Sequence, residues 1–268
     1  MNKSTKYGNE SGFNCYNADM KLFLVVFLIL TLSGPLFILL TNKIDFRADW
    51  RTANRDSVDV TPDPKLMADA IIQVYSARTF NWRGIFAVHT WLAVKAKNAD
   101  HYTVYQVIGW RFYRNLPPVS IAVDVPDRKW FDQVPLVVLD IRGEKAEKLI
   151  PQIEQAVKSY PYQNEYRHWP GPNSNTFIAW IAQQTLELGL ALPSNAVGKD
   201  YFPGFVIFAR APSGTGFQIS FHGVFGTMVA VREGLEINLF GLVYGISPMT
   251  LTLKLPGFGD ITIERKYE

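Results

Sequence analysis

The sequence predicts an α+β fold: a mainly antiparallel sheet packed against two helices, with an additional C-terminal β region and one N-terminal transmembrane helix. Three observations carry this. Leu22–Leu40 reads LFLVVFLILTLSGPLFILL, with no charge over 19 residues. Four segments between Gly84 and Ile141 are dense in β-branched and aromatic residues and are broken by turn-formers. Between that block and a second run of strand-like segments stand two stretches with helical spacing.

At about 1.5 Å per residue the apolar segment reaches roughly 29 Å, close to the hydrocarbon thickness of a bilayer. It is longer than a signal-peptide core of about 7–15 residues, and Thr41, Asn42 and Lys43 after it form no small-x-small cleavage site. An uncleaved anchor spanning 22–41, behind a polar tail 1–21, is the expectation. Lys3, Lys6 and Lys21 before it balance Lys43, Arg47, Arg51 and Arg55 after it, so charge does not set its orientation. The single cysteine, Cys15, precedes it, so no disulfide and no thiolate zinc site can form beyond it. The net charge of +3, without a run of Lys or Arg, gives no footprint for nucleic acid.

Residues 42–64 are polar, lack periodicity and end in Pro62 and Pro64, which reads as a linker arm. Lys65–Ala77 fits a short helix or, at Ile71–Tyr75, a strand. Strands are expected in Gly84–Lys95, His101–Arg111, Val119–Val125 and Pro135–Ile141. Ala146, Leu149, Ile150, Ile153 and Val157 recur at helical spacing in Gly143–Tyr160, with Pro151 as an interruption. A second helix covers Asn173–Leu188 and ends at Gly189. From Phe205 onward only strand signals follow, in segments that include Glu236–Tyr244 as one strand. The organisation expected is a domain at 65–204 and an antiparallel β region at 205–268.

Candidate chemistry gathers at two places. His89 lies in a strand followed by the strand at His101, and Gly171-Pro172-Asn173-Ser174-Asn175-Thr176-Phe177 leads into a helix. A nucleophile at a helix N-terminus gains from the dipole and the free backbone N–H groups, and a neighbouring histidine can be its base. Ser174 also fits a plain helix cap, since Asn and Ser are favoured there. Asp124 and Asp140 stand near strand ends, where carboxylates are usually solvated. Trp82, Trp91, Trp110 and Trp130 are expected in the core, with some able to line a groove. No histidine pair shows ligand spacing, so neither a metal nor a cofactor is expected.

The order strand-His, strand, then Asn-nucleophile-x-x-Phe at a helix start resembles the circularly permuted papain-like proteins, the NlpC/P60 and lecithin–retinol acyltransferase types. Ser174 stands where their cysteine would be. The resemblance implies Ser174 as nucleophile, His89 as base and His101 as its orienting partner, with Asn173, Asn175, Trp91 and Tyr102 around a cleft. The stretches Arg51-Thr-Ala-Asn-Arg55, Val88-His-Thr-Trp91, Val107-Ile-Gly-Trp110 and 171–177 more closely resemble a bacterial family, the domain of unknown function 3750. That resemblance implies a bacterial membrane-associated protein and brings no reaction. Together they lead to the expectation of a single-pass protein of the bacterial inner membrane with an extracytoplasmic C-terminal domain. It is either a serine-dependent acyl or amide hydrolase or transferase, or an inactive binding or structural module. Its partner would be a lipid, acyl or peptidoglycan-type ligand.

Overall fold

The computed structural model describes residues 10–41 and 43–263. Helix α1 (Glu10–Leu40) runs through Pro35 without a break, and its part from Asp19 to Leu40 is long and apolar enough to cross a membrane. It begins well before Leu22, so the second half of the expected 1–21 tail is helical, while residues 1–9 of that tail lie outside the described residues.

Strands β1 (Ile71–Arg78), β2 (Val88–Lys95), β3 (Thr103–Val107), β4 (Val119–Val123) and β5 (Leu136–Arg142) form an antiparallel sheet in the order β4-β3-β2-β1-β5. The strand alternative for Ile71–Tyr75 is therefore the one realised: β1 is the second-to-last strand and hydrogen-bonds on both sides, which a helix there could not do. The short helix α2 (Gly109–Phe112) follows β3. Helices α3 (Glu144–Lys158) and α4 (Ser174–Gln184) lie on one face of the sheet. The predicted stripe of α3, Ala146, Leu149, Ile150, Ile153 and Val157, is buried against Val74, Leu92 and α4's Phe177 and Ile181 in one core. Pro151 sits on α3's exposed side. Past α4 a 3₁₀ turn, Leu186–Leu188, ends at Gly189 with φ 64°.

The opposite face of the sheet carries Ile71, Tyr75, Ala77, Trp91, Ala93, Tyr102 and Val104. The segment 54–62, part of the expected linker or surface arm, covers this face. Its anchor is Asp127, a fully buried carboxylate that accepts from Ser57 Oγ at 2.6 Å and from the backbone N–H groups of Val60 and Thr61 at 2.7 and 2.9 Å. A buried carboxylate must be met by donors, and the arm supplies three. Tyr102 OH donates to Pro62 O at 3.0 Å, and Tyr75 OH meets Thr61 Oγ1 at 2.5 Å.

Strands β6 (Phe208–Arg210), β7 (Gly216–Phe221), β8 (Phe225–Ala230), β9 (Gly234–Leu239), β10 (Leu242–Ser247), β11 (Thr252–Leu255) and β12 (Gly259–Thr262) make a second, seven-stranded antiparallel meander. The segment expected as one strand at Glu236–Tyr244 is a hairpin, because Phe240 and Gly241 both take positive φ (56° and 86°), the requirement of a two-residue hairpin turn. The sheet packs over residues 196–200: Lys199 Nζ lies 2.7 Å from Glu236, which also holds Lys254 at 2.6 Å, all three buried.

If Asp127 holds the arm, Asp127→Ala should cost about 2–3 kcal/mol. It should also open Arg47, Arg51 and Arg55 to trypsin under native conditions. Limited proteolysis read by mass spectrometry checks this, and an unchanged cleavage pattern would refute it.

Candidate functional site

The Gly171–Phe177 motif builds the N-terminus of α4. Asn173 is the cap: its Oδ1 accepts from the backbone N–H groups of Asn175 (2.9 Å) and Thr176 (3.2 Å). Thr176 Oγ1 accepts in return from the Asn173 N–H at 3.1 Å, closing a capping box. Asn173 Nδ2 donates to His168 O and Val197 O, both at 3.1 Å. Asn175 Nδ2 donates to Val88 O and Val197 O, both at 2.9 Å, while its Oδ1 accepts from Thr90 Oγ1 at 2.9 Å. Both amide nitrogens use both hydrogens, so the motif ties α4 to the start of β2 and to the loop at Val197. Gly198, with φ 93°, leaves room for the Asn173 amide, which a Cβ would meet at 2.6 Å. Asn173 and Asn175 are thus structural clips and not the lining of a cleft. Ser174 is buried in the first turn of α4, and its hydroxyl makes no hydrogen bond among the described residues.

His89 is not beside it. Successive side chains of a strand point to opposite faces, and the pairing of β2 with β1 is regular from Val88 to Lys95. Thr90 faces α4, as its bond to Asn175 shows, so His89 faces away, toward the arm. Its ring stacks on Trp130 (centroids 3.7 Å, 13° between planes) and on Trp91 (5.6 Å). Nε2 donates to Gln106 Oε1 at 3.3 Å. Burial drives its pKa down to about 3, partly offset by that hydrogen bond. An imidazole so weakly basic drives little proton abstraction. His101 is exposed at a bend before β3, paired with Asp100 at 2.8 Å. The expected Ser174–His89–His101 constellation is therefore not assembled: the sheet separates the first two, and the third sits at a solvent-facing turn. Trp91 and Tyr102 share the His89 face, which parts them from Asn173 and Asn175. Trp91 Nε1 donates to Pro126 O at 2.8 Å, and burial pushes the Tyr102 phenol up to about 12, keeping it a donor.

What that face does hold is a cleft of ≈ 180 Å³. Trp91, Trp110, Trp130 and Phe131 give it an aromatic lining. Three cations, Arg55, Arg128 and Lys129, stand against one carboxylate, Asp124. Asp124 is engaged by Arg128 Nε at 2.7 Å. Arg55 lies over the Phe131 ring at 4.4 Å. A tight turn presents the aromatic pair: Trp130 and Gln133 exchange backbone hydrogen bonds, with Phe131 and Asp132 both at positive φ. The arm locks that turn through Asn54, whose N–H donates to Asp132 Oδ1 at 2.7 Å and whose carbonyl accepts from the Asp132 N–H at 3.0 Å. Sequence reasoning named Trp91 and singled out Trp110 and Trp130 but missed Arg55, Arg128 and Lys129. The signal was the Arg-Lys-Trp run at 128–130; its convergence with Arg55 depends on a contact 73 residues apart. Among the described residues no group of three His, Cys, Asp or Glu is placed to hold a metal ion.

A family model described as "Protein of unknown function (DUF3750)" matches residues 69–201. The matched segment holds the five-stranded sheet, α3 and α4, and leaves out both the arm and the seven-stranded sheet. No curated protein and no solved structure matches the chain.

Two outcomes are expected from this geometry. The folded chain holds His89 neutral far below its ordinary 6.5, whereas the unfolded chain binds a proton there. Stability should thus be full above pH ~6.5 and fall toward pH 3, by up to about 1.4 kcal/mol per pH unit. Denaturation curves across that range check the slope, and His89→Phe should flatten it. Asn175→Ala strands two buried partners, Val88 O and Thr90 Oγ1, at about 1–3 kcal/mol each, while Val197 O keeps its bond from Asn173; it should lower the melting temperature far more than Ser174→Ala. Equal effects would mean that the clip is not what Asn175 provides.

Proposed function

Residues 69–201 of the chain belong to the DUF3750 family, whose function is unknown, and on the geometry of the aromatic cleft we propose that the protein is a membrane-anchored binding module rather than an enzyme. The observation that carries this reading is the pairing of three indoles and Phe131 with three cations in one cleft, on the face of the sheet that Ser174 does not share. Flat aromatic walls favour a ligand with a planar or apolar face, and the unbalanced cations favour a negative charge on it. The ligand class is an anionic component of a bacterial envelope, a carboxylated glycan fragment in the first instance. α1 anchors the module in the inner membrane, and the arm from Lys43 holds the cleft close to the bilayer. The lack of cysteine beyond residue 15 fits an oxidising, extracytoplasmic compartment.

Titration calorimetry of the full chain in detergent, with a carboxylated muropeptide and with glycerophosphoglycerol, separates a glycan from a lipid headgroup. Trp110→Ala should abolish most binding, and Arg55→Gln or Lys129→Gln should weaken it about 2- to 5-fold, the worth of one partly exposed charge contact. Ser174→Ala should bind like the wild type. Turnover of the muropeptide, or labelling of Ser174 by a fluorophosphonate, would overturn the non-catalytic reading.

A further inference from the structure

We propose that the outward face of the seven-stranded sheet lies against the lipid bilayer, continuous with α1. The polarity of this sheet is inverted. An antiparallel sheet with one wet face is usually apolar toward the core and polar toward water. Here the row Phe217, Val229, Leu235, Ile246, Leu253 and Ile261 runs across six directly paired strands on the exposed side. Three of these are 52% (Phe217), 64% (Val229) and 43% (Leu253) exposed. The neighbouring rows, such as Phe221, Phe225, Leu239 and Leu242, are apolar as well. No outward position of β7 to β12 carries a charge. The inward positions are where the polar residues stand: Gln218, Glu236, Asn238 and Lys254 are buried. Glu236 holds Lys199 and Lys254 at 2.7 and 2.6 Å, so the buried charges are paired. Polar inside and apolar outside is the alternation of a sheet facing lipid.

The neighbour on this face identifies the occupant as lipid. α1 lies on it: Phe27 stacks on Tyr244, an outward residue of β10, at 5.6 Å, and Thr31 Oγ1 meets the Tyr244 hydroxyl at 2.7 Å. Lower down, Phe37 packs on Phe258 at 5.3 Å, and a Cβ at Gly34 would run into the Pro256 carbonyl. Phe27 to Phe37 covers about 15 Å of helix axis, within the part of α1 long enough to span. A sheet fastened at that depth cannot avoid the bilayer that α1 enters. The other sides of α1 remain exposed, so helix and sheet form one apolar surface. Strands of six residues reach about 20 Å, short of the 9–11 residues that span. The sheet therefore enters one leaflet and does not cross. Arg210, on the edge strand β6, is placed to meet headgroups.

The inference rests on α1 being in the membrane, and the test separates the two. In full chains with Cys15→Ser, an environment-sensitive fluorophore is placed at Val229→Cys or Leu253→Cys on the sheet, Leu28→Cys on α1, or Lys145→Cys on α3. Each is reconstituted in phosphatidylcholine–phosphatidylglycerol vesicles. Expected is blue-shifted emission at positions 229, 253 and 28, quenched by nitroxide lipids and not by iodide, with the reverse at 145. Iodide quenching at 229 and 253 with lipid quenching at 28 would overturn the sheet proposal and leave the anchor standing. Iodide quenching at all four would overturn both. Protection of 229 and 253 from both quenchers would mean a second chain covers the face, and would equally overturn the proposal.

Discussion

Strand β2 is buried along its whole length on both faces, and the rest of the domain is arranged around that constraint. A strand with two buried faces needs two covers. Helices α3 and α4 supply one, against Leu92 and Val94. The other is less usual: the arm 54–62, held by the buried carboxylate of Asp127, and the turn at Trp130, held to the arm through Asn54. Because neighbouring residues of a strand face opposite ways, β2 also divides the chemistry. Thr90 joins the clip at the start of α4, and His89 joins the aromatic stack.

That division decides what each polar group does. The motif that resembles a nucleophile loop is occupied with structure, since Asn173 and Asn175 spend their amide hydrogens on backbone carbonyls of three different segments. Such a clip needs short polar side chains at a helix start, which is also what a catalytic helix start needs, and the two are alike in sequence. The histidine is stacked on Trp130 beside Trp91 and kept neutral by burial. The cleft on its side carries aromatic faces and an excess of cations, an arrangement suited to holding a ligand.

Much of the fold was legible. The periodicity of α3 named every residue of its buried stripe but Ala156, and β2 to β5 fell in the β-branched and aromatic runs, although Gly109–Arg111 of the strand expected at His101–Arg111 are helical. The places where the reading differed share a cause. Residues 54–62 look like a linker because their contacts are made by backbone N–H groups to a carboxylate more than 60 residues away. The break at Phe240–Gly241 hides in an apolar run because only backbone φ reveals it. Of the site, Trp91, Trp110 and Trp130 were legible only as three of four tryptophans expected in the core with some able to line a groove, and the cations that join them were not legible at all.

What the sequence by itself determined is local: a helix long enough for a membrane, the strand and helix segments, and the polar motif that caps α4. These follow from hydropathy, periodicity and capping, which act within a few residues. Only the tertiary structure decided which face of a sheet each residue occupies. The alternation in Gly234–Leu239, Leu and Ile against Glu and Asn, is plain in the chain, but it does not say which set is inside. Glu236 is inside because Lys199 and Lys254 converge on it from other segments, and that pairing leaves the leucines and isoleucines of the sheet facing outward beside α1.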